Sequence, residues 1–259
     1  MIPLSQPTKV LESNRNKGIF EIASLYPGYG ITIGNTLRRV LLSSLEGAAI
    51  TQVKIKGADH EFSTMEGVME DVVTILLHLK QVRFRLHSDV PQKAILKVRG
   101  EKMVLASDFE LPSQVELVST DAPIAQLTSK SAELEMEIQI EKGVGYVPVG
   151  ENKKEKQEIG IIALDAIFTP VKRVSTKVED MRVGDRTDFH RLLVEVETDG
   201  TITPEEAFYQ ATQILLQQFE VIMSGVKEKA QKATAASTRE EKPKKKAVAK
   251  KAAKKSTKK

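Results

Sequence analysis

The residues of this sequence that could do chemistry are a glycine-rich turn, four histidines and a few neighbouring carboxylates. Gly28-Tyr29-Gly30-Ile31-Thr32-Ile33-Gly34 approaches the pattern that wraps a dinucleotide pyrophosphate at a helix N-terminus. Its last gap is one residue too long, no convincing strand precedes it, and Pro27 stands where that strand should end. No phosphate loop of the Gly-x4-Gly-Lys-Ser/Thr kind exists. His60, His78, His87 and His190 lack the His-x3-His and His-Glu-x2-His spacings that bring two imidazoles to one zinc ion. His78 sits in an apolar helical run, where a solvated or partly buried imidazole is the ordinary reading, and His190 follows Asp188, a pairing common on surfaces. There is no Gly-x-Ser-x-Gly elbow to present a nucleophilic serine. Two-metal nucleotidyl transfer needs aspartates converging on one point. Asp108-Phe109-Glu110 and Glu179-Asp180 come nearest and read better as turn polarity. The chain has no cysteine, which removes disulfides, thiolate nucleophiles and cysteine metal sites. These residues predict no catalysis by the chain itself, and neither a metal nor a cofactor bound by it.

The elements that carry these residues follow from hydrophobic spacing. Leu37, Val40, Leu41 and Leu45 recur at helical intervals, with Gly47 read as the end of the run and Arg38, Arg39 and Ser43 on the opposite side. The preceding Tyr26–Gly30 is turn chemistry. Ser63 and Glu66 have capping-box spacing ahead of Met65, Val68, Met69, Val72, Leu76 and Leu79, which predicts a helix over 65–80. Strict alternation of Leu134, Met136, Ile138 and Ile140 with polar neighbours predicts a strand buried on one face, its outer glutamates discouraging edge pairing. Thr203-Pro204-Glu205-Glu206 places an N-cap, a proline at the first helical position and a glutamate at the third. Phe208, Ala211, Leu215, Phe219 and Ile222 continue that helix face, and Gly225 is placed to end it. Weaker strand patterns cover 51–56, 94–99, 115–119, 159–168 and 192–198, and Gly143–Gln157 reads as an exposed loop. Strands running on with few helices between them predict α+β rather than a doubly wound sheet.

Charge divides the chain sharply. Of 39 basic and 35 acidic side chains, 14 and 3 lie beyond Gly225, leaving 25 and 32 in the body. The tail therefore carries a net +11 and the body a net −7. A net acidic body has no field of its own for gripping nucleic acid. From about residue 227 lysine, alanine, serine and threonine displace periodic apolar residues, and such a stretch is expected to stay disordered. Apolar content of 41% is that of an ordinary globular protein, and no run of about 18 apolar residues predicts a membrane span. The first residues lack the basic and apolar regions of a signal peptide, so a cytoplasmic location is expected.

The stretch from Gly28 through Leu37-Arg38-Arg39-Val40-Leu41-Leu42-Ser43-Ser44-Leu45-Glu46-Gly47 resembles the α-subunit family of bacterial RNA polymerases. Further stretches resemble that family in the same order: His60–Asp71, Gly145–Pro148, Pro170–Val174, Arg186–Phe189 and Glu197–Ala207. Together they reach across roughly residues 5 to 225. The resemblance implies a discontinuous dimerisation domain, 1–46 with 171–226, containing two long helices. A mostly β insertion, 47–170, would contact the large subunits, followed by the basic tail, 227–259. Leu37, Leu41, Phe208, Leu215 and Phe219 would form the homodimer contact. Arg39, with Leu42 and Ser43 beside it, would hold the β subunit, and Lys80 and Val171 would lie at the β′ contact. The implied assembly is the core enzyme with β, β′ and ω, joined by a σ factor in the holoenzyme. Most members continue into a small helical DNA-binding domain, and here a lysine-rich segment stands in that place. Lys244, Lys245, Lys246, Lys250 and Lys251 are its expected phosphate contacts, giving strongly salt-dependent DNA binding. Two other readings compete: a stand-alone, non-specific nucleic-acid-binding protein acting through the tail, and an enzyme using the glycine-rich turn. The first would need a basic stripe with stacking aromatics on the body, the second a completed catalytic constellation.

Overall fold

The computed structural model describes residues 2–152 and 160–226, and falls into two compact units that divide after Thr212. In the first unit, four antiparallel strands lie in the spatial order Lys9–Ser13, Lys17–Leu25, Arg186–Thr198, Val171–Val183. Register places Phe20 opposite Val194 and Ile22 opposite Leu192, while Val178 and Thr176 oppose Leu192 and Val194 from the other side. Because alternate residues of a strand share a face, these side chains form one continuous, mostly apolar row. The opposite face is a ladder of charge: Lys17–Glu195 at 2.9 Å, Arg191–Glu21 at 2.9 Å and Arg173–Glu195 at 3.3 Å. Such exposed pairs each contribute about 0–1 kcal/mol, so the apolar row holds the sheet to its helices.

The larger sheet has seven antiparallel strands among the described residues. Its order is Phe109–Glu110, Gln92–Arg99, Glu133–Val144, Glu46–Ile55, Phe84–Leu86, Val115–Leu117, and Ile161–Ala163 also pairs with Glu46–Ile55. Leu134, Met136, Ile138 and Ile140 point inward into one buried core shared with Val72, Ile75, Leu76 and Leu79 of the second helix, Val72–Leu79. The outward glutamates of the same strand meet cations on neighbouring strands. Glu133 pairs with Arg99 at 2.9 Å, Glu137 with Lys93 at 2.6 Å, and Glu135 with Lys56 and Lys97, both at 2.8 Å. Hydrogen bonds from Lys56 and Lys97 hold the Glu135 carboxyl down at about 2. The fold is α+β, with helices set against antiparallel sheets.

Several elements differ from the sequence pattern for physical reasons. The second helix starts at Val72 rather than near Met65, because Gly67 takes φ +78° and Val68 bridges to Leu127. Asp71 is the true cap, accepting from the Thr74 amide at 2.9 Å, whereas Ser63 turns to His60. The first helix, Tyr29–Ser43, begins inside the segment read as a turn and stops before Leu45. Gly47 ends no helix; it lies in the Glu46–Ile55 strand, where a Cβ would come within 1.8 Å of the Phe168 carbonyl oxygen. The segment 159–168 splits into Ile161–Ala163 on the large sheet and Ala166–Ile167, which pairs with Tyr146–Val147 in part of the presumed loop. Gly225 does not end the last helix, which is continuous over 204–226. Its capping box forms as read: the Glu206 amide donates to Thr203 Oγ1 at 3.2 Å and the Thr203 amide to Glu206 Oε2 at 3.0 Å. The described part of the second unit, residues 213–226, is wholly helical.

Candidate assembly surface

The glycine-rich stretch seats a helix. Gly28 turns the chain at φ +87°, and the first helix then lies against the strands Val171–Val183 and Arg186–Thr198. A Cβ on Gly30 would stand 2.8 Å from Val178 Cγ1 and 2.9 Å from His190 Nδ1; one on Gly34 would stand 2.9 Å from Leu192 Cδ1. Glycine at these two positions, one helical turn apart, lets the helix backbone approach the sheet more closely than any side chain would permit. These glycines face packed side chains, leaving no space there for a pyrophosphate.

Burial on one side fixes what the other side presents. Leu37 and Leu41 are 4% and 0% exposed. They belong to this chain's own core. Outward along the same helix stand Ile31, Asn35, Arg38 and Arg39, with Leu42 half-buried beside them. Neither arginine forms an ion pair with a described residue. Ser43 is exposed, but its hydroxyl donates to the Arg39 carbonyl at 2.8 Å, so it tightens the helix end instead of projecting a free donor. The result is a rigid platform with two cations framed by apolar side chains. Guanidinium groups in that setting suit bidentate recognition of carboxylates on another protein.

A second surface gathers around Lys80. Its ammonium donates to Asp165 Oδ2 at 2.9 Å, and Asp165 Oδ1 accepts from the Val149 amide at 3.0 Å. The Lys80 hydrogen bond, then that amide, hold the Asp165 carboxyl below its usual range. Phe62, Leu76 and Leu77 line a groove of about 420 Å³ beside this pair, with Phe62 and Leu77 well exposed. Lys80 therefore meets any partner as half of a formed ion pair. Val171 is 2% exposed and pairs with Thr198 inside the four-stranded sheet. Its side chain is buried within this chain's own sheet.

The last helix begins as part of the first unit's core. Phe208 stacks on Phe20 with centroids 4.5 Å apart, and Ala207 and Ala211 are fully buried. Phe208 thus packs on the four-stranded sheet. Farther along, Leu215 is half-buried, while Leu216, Phe219, Ile222, Met223 and Val226 are exposed. Spaced mostly at three and four residues, these make an apolar stripe over about three turns. Lys244, Lys245, Lys246, Lys250 and Lys251 lie outside the described residues. Among the described residues, no three His, Asp or Glu side chains are grouped as a metal ion would require, and no helix is long and apolar enough to cross a membrane.

Comparison with known proteins agrees with this geometry. The family described as the RNA polymerase Rpb3/RpoA insert domain matches residues 53–169, the segment that builds most of the larger sheet. A DNA-directed RNA polymerase subunit alpha from Roseiflexus castenholzii is 47% identical over 223 residues, 86% of this chain and 68% of its own length. The protein of that name from Oceanobacillus iheyensis is 43% identical over 251 residues, covering 96% of this chain and 79% of its own. Its counterpart from Symbiobacterium thermophilum is 46% identical over 227 residues, covering 86% and 72%.

Proposed function

Because this chain belongs to the α-subunit family of bacterial DNA-directed RNA polymerases, we propose that it serves that nucleotidyltransferase as a non-catalytic assembly subunit. Two copies pair through the last helix, whose apolar stripe at Leu216, Phe219, Ile222, Met223 and Val226 has the spacing of a helix contact, with Leu215 at its margin. Residues 1–46 and 171–226 form the dimerisation domain and 47–170 the insertion. The dimer offers the Arg39 platform to β and the Lys80 groove to β′, in a core enzyme with ω that a σ factor joins. Nucleotide addition resides in the large subunits, and this one needs no cofactor. It works in the cytoplasm, at the nucleoid. The lysine-rich tail adds salt-dependent contact with DNA phosphates.

One observation carries this reading. The helix that holds Arg39 is seated so tightly, through Gly30 and Gly34, that its outer face is a fixed surface with two cations lacking ion pairs to described residues. A stand-alone nucleic-acid-binding protein is not favoured, since the body is net acidic. The decisive experiment is co-purification of the β subunit with Arg39→Ala. That variant is expected to remain a folded dimer while holding β about tenfold more weakly or worse. Undiminished capture would remove Arg39 from the contact.

A further inference from the structure

We propose that Arg83 and Asp199 are positioning residues, setting the angle between the two sheets so that the Arg39 platform and the Lys80 groove face their partners together. This rests on the assembly reading above. The motivating observation is a polar junction between two segments 116 residues apart in sequence. Arg83 immediately precedes the strand Phe84–Leu86 of the larger sheet, and Arg85 lies within it. Phe84 and Leu86 enter the core of that sheet, so alternation sends both arginines the other way. There they meet the turn that follows the strand Arg186–Thr198 of the four-stranded sheet.

Both carboxylate oxygens and the amide of that turn's acid are engaged. Arg83 Nε lies 3.5 Å from Asp199 Oδ2, and Arg83 Nη1 donates to the Ile167 carbonyl at 2.9 Å. Asp199 Oδ1 accepts from the Thr201 amide at 2.9 Å and the Thr201 hydroxyl at 2.6 Å, while the Asp199 amide donates to Pro170 O at 2.9 Å. Arg85 adds Nε and Nη2 to the Thr201 carbonyl at 2.9 and 2.6 Å, and Nη1 to Glu116 at 2.8 Å. Between the two polar residues of the turn, Gly200 adopts φ +96°, a backbone state that other residues rarely take.

Burial distinguishes this junction from the charge ladders elsewhere. The Asp199 side chain is 3% exposed and that of Arg83 16%, whereas the ladder cations are mostly open to solvent. A buried pair contributes little net stability compared with an apolar replacement, but it is directional, and losing one partner strands the other's charge. The guanidinium fork admits one orientation of the acceptors around it. The same turn leads into the Thr203 cap, so it also sets where the last helix starts.

The absence of native cysteine makes the angle measurable. Spin labels on Glu101→Cys, in the exposed turn after the Gln92–Arg99 strand of the larger sheet, and on Lys172→Cys, exposed on the Val171–Val183 strand of the four-stranded sheet, report the inter-sheet distance. Doubly labelled chains are diluted with unlabelled ones, so that most dimers carry one labelled copy. With the native pair the distance distribution is expected to be narrow. Asp199→Asn and Arg83→Met should broaden or shift it while each sheet keeps its circular dichroism, and should weaken capture of the large subunits about tenfold. A narrow, unshifted distribution in both folded variants overturns the positioning role. If both variants are insoluble, Arg83→Lys repeats the test with the charge kept and the fork lost, and its insolubility too would assign the pair to folding and refute the proposal. The distance readout needs no partner, so it separates failure of this inference from failure of the assembly reading, which Arg39→Ala tests.

Discussion

Replacing Gly47 by alanine should be among the most damaging single changes in the body. Gly47 and Gly143 stand opposite each other on adjacent strands, with the Phe168 carbonyl against Gly47 and the buried Phe168 ring against Gly143. A Cβ at Gly47 would fall 1.8 Å from the Phe168 carbonyl oxygen, whereas close carbon–oxygen contacts start at about 3.3 Å. The strand Glu46–Ile55 and the Phe168 segment must then separate by about 1.5 Å. That motion strains the Phe168 amide bond to the Gly145 carbonyl, 2.9 Å long, and opens packing around the ring. Overpacking of about 3 kcal/mol and one lost hydrogen bond of about 1 kcal/mol give a cost near ~4 kcal/mol. In thermal denaturation followed by circular dichroism this corresponds to a fall of about 10 °C. Gly143→Ala meets only the ring, at 2.6–2.7 Å, and should cost about half as much. Phe168→Leu should therefore relieve Gly143→Ala but not Gly47→Ala, whose clash is with backbone. A Gly47→Ala protein melting within about 2 °C of the parent would refute the close approach, and rescue of both variants by Phe168→Leu would refute the distinction.

Other outcomes follow from single interactions. Thr203→Ala removes one side of a formed capping box, and chemical denaturation should show a loss of about 1 kcal/mol. The Glu135 carboxyl is depressed from 4.5 to about 2 by Lys56 and Lys97, so its stabilising effect is complete above pH 4.5 and vanishes as pH falls toward 2. Glu135→Gln should flatten the pH dependence of the urea midpoint within that window, and an unchanged profile would show that the ladder contributes nothing there. Deleting residues 227–259 removes a net +11 and should both lower DNA affinity at low salt and reduce its salt slope in filter binding.

What the sequence disclosed depended on whether a local rule decided the outcome. The Thr203 cap and the Leu134–Ile140 alternation are local, and both formed as read. The strand Val171–Val183 escaped notice because it presents Lys172, Arg173, Lys177, Glu179 and Arg182 among few apolar residues; its place is set by register with Arg186–Thr198, a long-range fact. Val171, Leu37 and Leu41 are buried in this chain's own core, a fact of burial that the resemblance does not supply. The spacing of Gly30 and Gly34 carries a signal for close helix–sheet packing as well as for a ligand loop, and the packed side chains above them select the first. Arg83 and Asp199 had none, since nothing in two distant segments announces that a fork and a carboxylate will meet.

The most direct test of the assembly role is the native mass of the complex recovered with a tagged chain from its own cells. Two copies of this subunit bound to two very large partners is the expected result. A dimer eluting alone, with no large partner at any salt concentration that preserves complexes, would contradict it.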